Sequence, residues 1–299
     1  MPNKNQIAEW FQHLQSDICK SLETLDGKGK FLTDQWTRPG GGGGITRVIT
    51  KGALIEKGGV NFSQVHGNTP QKILNALQLE ESEFFASGVS IVLHPESPMV
   101  PIIHMNVRYF EMSSGHWWFG GGIDLTPHYV DHEDAKFFHN QLKTACDQYD
   151  LSYYPKFKNW ADDYFFIKHR KETRGIGGIF FDQLNDTTYS NKSKSELFEF
   201  VKSIGTSFVP TYEHLAVSNR TKSYDQKEKD WQLLRRGRYV EFNLVWDRGT
   251  KFGLDTDGRT ESILMSLPEQ ANWSYNHQVD PNSKEAETQS LLKKGINWI

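Results

Sequence analysis

Apolar residues recur every three or four positions near the start of the chain. Ile7, Phe11, Leu14, Ile18, Leu22 and Leu25 fall on one stripe, which predicts an amphipathic helix over 5–26, ended by "DGKGK". The period then shortens to two. Strands are expected around 45–50, 53–57 and 60–65, joined by tight glycine turns, and at 87–93, closed by a proline. Another is expected at 102–110, and the glycine-interrupted run "HWWFGGGIDLTP" supplies one more. Helical spacing returns over 131–149 (Ala135, Phe138, Leu142, Cys146) and over 156–174 (Phe157, Trp160, Tyr164, Ile167), the latter stopped by Gly175. "GIGGIFFDQL" reads as a short strand. Ser193 with Glu196 is a capping box that opens a helix carrying Leu197, Phe200, Val201, Ile204 and Phe208. "RYVEFNLVW" alternates, with Val240, Phe242, Leu244 and Trp246 against Tyr239, Glu241 and Asn243, and is expected to be a strand. "TESILMSLP" is a short strand or a helical turn, and a last amphipathic segment covers 283–297.

Strands joined by short turns, then helices, do not make the regular βαβ alternation of a parallel sheet. The expected fold is α+β, a mainly antiparallel sheet with helices against it. No linker interrupts the chain, so 1–299 is expected to form a single domain in which 1–30 contributes the N-terminal amphipathic helix.

Composition narrows the partners. A formal net charge of −3 argues against nucleic acid, whose binding domains are usually basic. "KHRKETRG" and "RRGR" are local basic clusters that could hold a small polyanion or simply face solvent. No apolar run approaches the roughly 20 residues of a membrane span. The first residues show no signal-peptide or transit pattern, so a cytoplasmic protein is expected. The two cysteines, Cys19 and Cys146, cannot build a disulfide framework or a zinc finger.

The chemistry concentrates in "HPESPMVPIIHMNVRYF", residues 94–110. In a strand, residues i, i+2 and i+4 share a face. His104, Asn106 and Arg108 therefore point together, with Ser90 and His94 sharing a parity upstream and Trp118, Gly120, Gly122 and Asp124 sharing one downstream. If these strands are neighbours, their polar groups converge beside glycines that leave room for a bulky ligand. An Arg with Asn and Ser donors suits bidentate capture of a carboxylate, while a solvent-facing polar strand is the plainer alternative. The glycine runs lack the spacing of a phosphate cradle. Four histidines, His94, His104, His139 and His169, could gather round a divalent metal, but none is paired at i, i+3 or i+4 with another ligand.

Several long motifs occur in order. They are "VNFSQVHG", the 94–110 stretch, "WWFGGGIDLTPHY", "DDYFFIKHRKETRGIGGIFFD", "RRGRYVEFNLVWDRGTKFGL" and "GRTESILMSLP". Through them the chain resembles the oxygen-dependent coproporphyrinogen III oxidases of haem biosynthesis, from about residue 36 to the C-terminus. The resemblance implies a large antiparallel sheet covered by helices on both faces, a homodimer, and a tetrapyrrole substrate. The implied reaction is oxidative decarboxylation of the ring A and B propionates of coproporphyrinogen III to vinyl groups. Molecular oxygen is then the co-substrate, protoporphyrinogen IX, carbon dioxide and hydrogen peroxide are the products, and no organic cofactor takes part. By position it implies catalytic roles for His104 as proton donor, Asp124 at the pyrrole nitrogens and Arg174 at the propionates. It implies substrate contacts at Ser90, Asn106, Val107, Arg108, Gly258 and Arg259, with Trp117 and Trp118 bounding the cavity. Bacterial members suggest a divalent metal, such as manganese, on His94, His104, His139 and His169. A metal-bound His104 would have no proton to give from that nitrogen. Two departures stand out: "GGGGGIT" lacks an arginine after the glycines, and Asp257 in "TDGR" stands where glycine is usual. A metal-dependent hydrolase or lyase and a non-catalytic tetrapyrrole carrier are the rival functions.

Overall fold

The computed structural model describes residues 1–69, 71, 74, 81–188, 192–255 and 258–299. The first helix, α1 (Lys4–Asp26), starts at an Asn3–Gln6 capping box and ends at Gly27 in the left-handed conformation (φ 79°). Its predicted stripe is the buried one: Ile7, Phe11, Leu14, Ile18 and Leu22 enter the core. Six strands follow, β1 (Leu32–Thr37), β2 (Gly42–Thr50), β3 (Ile55–Asn68), β4 (Glu83–Pro95), β5 (Ile102–Met112) and β6 (Trp117–Thr126). Each pairs antiparallel with the next. The two strands expected at 53–57 and 60–65 are one continuous strand, because Gly58 and Gly59 sit inside the ladder and do not turn.

The chain then leaves the sheet for α2 (His132–Asp147) and α3 (Tyr153–Tyr164), makes a small hairpin β7 (Phe166–Ile167) and β8 (Glu172–Thr173), and returns as β9 (Gly178–Leu184) beside β6. The helix expected over 156–174 therefore stops ten residues early (174 against 164). Gly175 caps no helix: a Cβ there would lie 2.1 Å from the Leu125 carbonyl oxygen, so it lets the returning chain press against β6. The helix α4 (Lys194–Asn219) has the Ser193–Glu196 capping box that the sequence predicts.

The clearest difference is at "RYVEFNLVW". It is the last part of a 20-residue helix, α5 (Gln226–Val245), capped by Asp225 and Glu228. Tyr239, Phe242 and Asn243 are its buried face, an i, i+3, i+4 set, whereas Leu244 and Val245 are exposed. The alternation was a coincidence of composition at one end of a longer helical period. Short helices α6 (Arg248–Asp255), α7 (Thr260–Leu264) and α8 (Lys284–Leu291) complete the described chain; α7 is the helical turn among the two readings of "TESILMSLP".

The seven strands run in the order β1-β2-β3-β4-β5-β6-β9, all antiparallel. One sheet face carries Ile91, Ile103, Met105, Val107 and Tyr109 into a core built with α1, α2, α3 and α4. The opposite face meets α5, where Tyr239 packs on Val92 and Ile102, and α7, where Met265 lies over Gly59. Helices thus cover both faces, as the α+β expectation holds. The second covering is partial, and the polar residues lie beneath it.

Candidate active site

Register aligns one row of residues across all seven strands: Asp34, Thr46, Asn61, Ser90, Asn106, Gly122 and Phe180. Cross-strand partners share a face, and strands lie about 4.8 Å apart, so the four amide and hydroxyl residues from Thr46 to Asn106 span about 14 Å. The adjacent row holds Trp36, Gly44, Ser63, Gly88, Arg108 and Gly120. Polar side chains therefore alternate with bare backbone, a floor suited to a flat ligand with polar edges. Aromatic rings bound it. Phe110 stacks between Trp118 (centroids 4.4 Å) and Phe84 (6.0 Å) at one end, and Phe180 stacks on Tyr164 (4.0 Å) at another. Trp117 belongs to the other face, edge-on to Phe119.

His104 pairs across the ladder with Asp124. The His104 Nδ1 lies 2.8 Å from Asp124 Oδ1. Behind them Arg174 donates to both Asp124 oxygens (2.8 and 2.9 Å from Nη2) and from Nη1 to the Asn243 Oδ1 of α5 (2.8 Å). The guanidinium is boxed by Phe165, Tyr239 and Phe242, each ring centre within 4.7 Å of Cζ. Burial alone would raise the Asp124 pKa, but the Arg174 charge and the His104 hydrogen bond prevail and hold it below the usual carboxylate range. An ionised carboxylate only accepts, so His104 Nδ1 donates and its other nitrogen is the one left for a ligand. Asp124 and Arg174 side chains are 1% and 2% exposed, against 20% for His104. Of the three, only the imidazole reaches the open face. Arg174, linked by resemblance to propionates, has its donors committed to Asp124 and Asn243 and lies behind the face.

Arg108 is different. Its Nη1 donates to Asn106 Oδ1 (2.8 Å) and its Nη2 meets Asp182 of β9 (3.0 Å), at the half-exposed rim. Arg259 stands across the site, ahead of α7. It donates to Ser262 Oγ (3.3 Å) and forms an ion pair with Asp34 on the edge strand β1. Ser262 in turn meets Thr46 Oγ1 (2.6 Å), which donates to Asn61 Oδ1 (2.8 Å) and accepts from Trp36 Nε1 (3.0 Å). The α7 segment is thereby tied to the polar row. The Gly258 N–H donates to the Gly253 carbonyl (2.8 Å), while Asp257 lies outside the described residues. Val107 turns its side chain into the core, fully buried, so only its backbone belongs to this face.

Comparison with known proteins fits this geometry. A family model described as coproporphyrinogen III oxidase matches residues 6–298. The chain belongs to this family. An oxygen-dependent coproporphyrinogen-III oxidase of Prochlorococcus marinus (strain NATL2A) is 48% identical over 308 residues, 96% of this chain and 88% of the relative. The mitochondrial enzyme of that name from Rattus norvegicus is 49% identical over 310 residues, covering 99% of this chain and 69% of its own. The relative from Drosophila melanogaster is also 49% identical, with 99% and 78% covered. The match takes in α1, which the motifs had left outside.

The four histidines that the family suggested as metal ligands are not brought together. His139 has both ring nitrogens engaged inside the core, with Tyr154 Oη and the Ile176 carbonyl, each at 3.0 Å. His169 has both engaged too, at Glu241 (2.7 Å) and Trp246 Nε1 (2.9 Å). His94 bonds the Ser266 carbonyl (2.8 Å) below α7. Among the described residues no group of three or more His, Cys, Asp or Glu is placed to hold a metal. The donor set does not fit a four-histidine centre.

Asn61, Thr46, Asp34 and Asp182 were missed as site residues. Asn61 and Ser63 alternate with Phe62 inside "VNFSQVHG", so parity could have flagged them. Asp34 and Asp182 carry no such signal, because their importance comes from the arginines they meet.

Proposed function

We propose that this protein converts coproporphyrinogen III to protoporphyrinogen IX, decarboxylating the ring A and B propionates oxidatively to vinyl groups. Each turn takes one propionic side chain and one O2 and gives one vinyl, one CO2 and one H2O2. The observation that carries the reading is the family match over residues 6–298 together with the floor of Thr46, Asn61, Ser90 and Asn106 flanked by two arginines. The electron-rich ring supplies the electrons to oxygen. The protein binds, orients and excludes water. Arg108 and Arg259 capture carboxylates, aided by Asn106 and Ser90 donors. His104 moves a proton at the ring or at the reducing oxygen, and Asp124, backed by Arg174, fixes its tautomer and orientation. In this reading Asp124 acts through His104 rather than on the pyrrole nitrogens directly.

The test incubates purified protein with coproporphyrinogen III, with and without oxygen, before and after chelation. Oxygen-dependent vinyl and CO2 formation that survives chelation is expected. Tight binding without turnover would favour the carrier reading, and oxygen-independent activity lost to a chelator would favour the metal hydrolase. We propose a homodimer as the working form. Leu244 and Val245 at the end of α5 and Phe252 and Leu254 of α6 are exposed apolar side chains, which supports it. The free, buried thiols of Cys19 and Cys146 support a reducing, cytoplasmic setting.

A further inference from the structure

The two arginines of the open face are built alike, and each meets an aspartate from an edge strand. Arg108 uses Nη1 on a neutral oxygen, Asn106 Oδ1 at 2.8 Å, and Nη2 on Asp182 at 3.0 Å. Arg259 likewise uses Nη1 on a neutral oxygen, Ser262 Oγ at 3.3 Å, and Nη2 on Asp34. Asp34 lies on β1 and Asp182 on β9, the first and last strands of the seven. Neither pair is part of the core. Asp182 is 35% exposed and Asp34 53%, whereas Asp124 is 1% exposed. Gly120 shows that the Arg108 pair occupies deliberate space. A Cβ there would stand 2.7 Å from Arg108 Nε and 2.7 Å from Asp182 Oδ1, so both groups meet over bare backbone.

We infer that Asp34 and Asp182 are exchangeable partners, which hold Arg259 and Arg108 until carboxylates of the substrate replace them. This rests on the polycarboxylate substrate of the proposed function. In each arginine the neutral contact fixes the plane of the guanidinium and leaves the Nη2 edge as the position that changes hands. A propionate arriving there preserves the charge count at the arginine, and the displaced aspartate turns into water at the rim. The same aspartates raise selectivity. A ligand that lacks carboxylates cannot repay the broken ion pairs, so the site discriminates by the number and position of its acidic arms. Asp124 cannot serve in this way, because its charge would be stranded if Arg174 let go.

Binding of coproporphyrin III, the oxidised and unreactive tetracarboxylate, tests the exchange. Tryptophan quenching would be measured for wild type, Asp182→Asn, Asp34→Asn and the double variant. Removing a competing exposed carboxylate should lower Kd by about two- to fivefold per site, with the double variant close to the product. Asp182→Glu, which keeps the competing charge, should return Kd to near the wild-type value. Unchanged or weaker binding in both Asn variants would overturn the exchange, since the aspartates would then be bystanders or organisers of the bound state. A thermal unfolding curve for each variant separates misfolding from a binding effect. Wild type that neither binds coproporphyrin nor turns over coproporphyrinogen overturns the proposed function itself. Wild type that does both, with immobile Asn variants, overturns only the exchange.

Discussion

Asp124–Arg174 and Asp182–Arg108 join the same two chemical groups on the same sheet face, in opposite surroundings. The first is sealed beneath α5 by three aromatic rings; the second lies at the rim over Gly120. In the interior an unpaired charge is costly, so the pair is fixed and can only position something else, here His104. At the rim water can replace either partner, and the pair contributes little to stability. One end of the site is therefore preorganised and the other adjustable. Proton movement needs the first property and capture of a large anion needs the second.

The largest break in this contrast should come from Asp124→Ala. Leaving Arg174 buried without its carboxylate should cost about 3–5 kcal/mol in urea unfolding, whereas Asp182→Ala should cost under about 1 kcal/mol. Equal losses would mean that the two pairs do not differ as their burial implies. His104→Ala should lower kcat by about a hundredfold or more with little change in unfolding midpoint, because the imidazole touches the open face and seals nothing. A matching fall in stability would instead make His104 a structural residue.

Buried histidines sharpen the comparison through pH. Burial holds His94 down to about 3 and His139 down to about 4, so both stay neutral in the fold. The unfolded chain takes up these protons near pH 6.5. Between about pH 6.5 and 4, unfolding therefore binds more protons, and stability must fall as pH falls, by about 1.4 kcal/mol per pH unit for each histidine. Denaturation midpoints at pH 7, 6 and 5 measure this, and His139→Gln should flatten the slope. An unchanged slope would mean that His139 is not the neutral core group described.

Smaller effects belong to the adjustable end. Arg108→Ala should raise KM about tenfold while leaving the Asp124 side intact, read from steady-state kinetics. Thr46→Val keeps the shape but removes the hydroxyl between Ser262 and Asn61. It should raise KM by a few-fold through a looser Arg259 segment, at a cost of about 1 kcal/mol in stability. Thr46→Ser should restore both.

Much of this was legible along the chain because it depends on local period. The parity of His104, Asn106 and Arg108 needs only an extended backbone, and the stripes of α1 and α4 need only 3.6 residues per turn. "RYVEFNLVW" misled because nine residues fit both periods, and the deciding cap, Asp225 with Glu228, lies well upstream. The pairing of Asp124 with Arg174, fifty residues apart, left no trace in either neighbourhood. The four histidines were visible in the sequence but their placement was not: the sheet separates His139 and its core partners from the face that carries His104.

By itself the sequence determined the family, the α+β class, the polar face of β5 and the arginines that a carboxylate-rich ligand needs. Only the tertiary structure decided which ion pairs are buried and which lie at the solvent-exposed rim. It also decided that Asp124 lies behind His104, between it and Arg174, and that one polar row crosses from β1 to β5. Those outcomes depend on strand register and on what α5 covers, and burial, not residue type, sets what a charge can do.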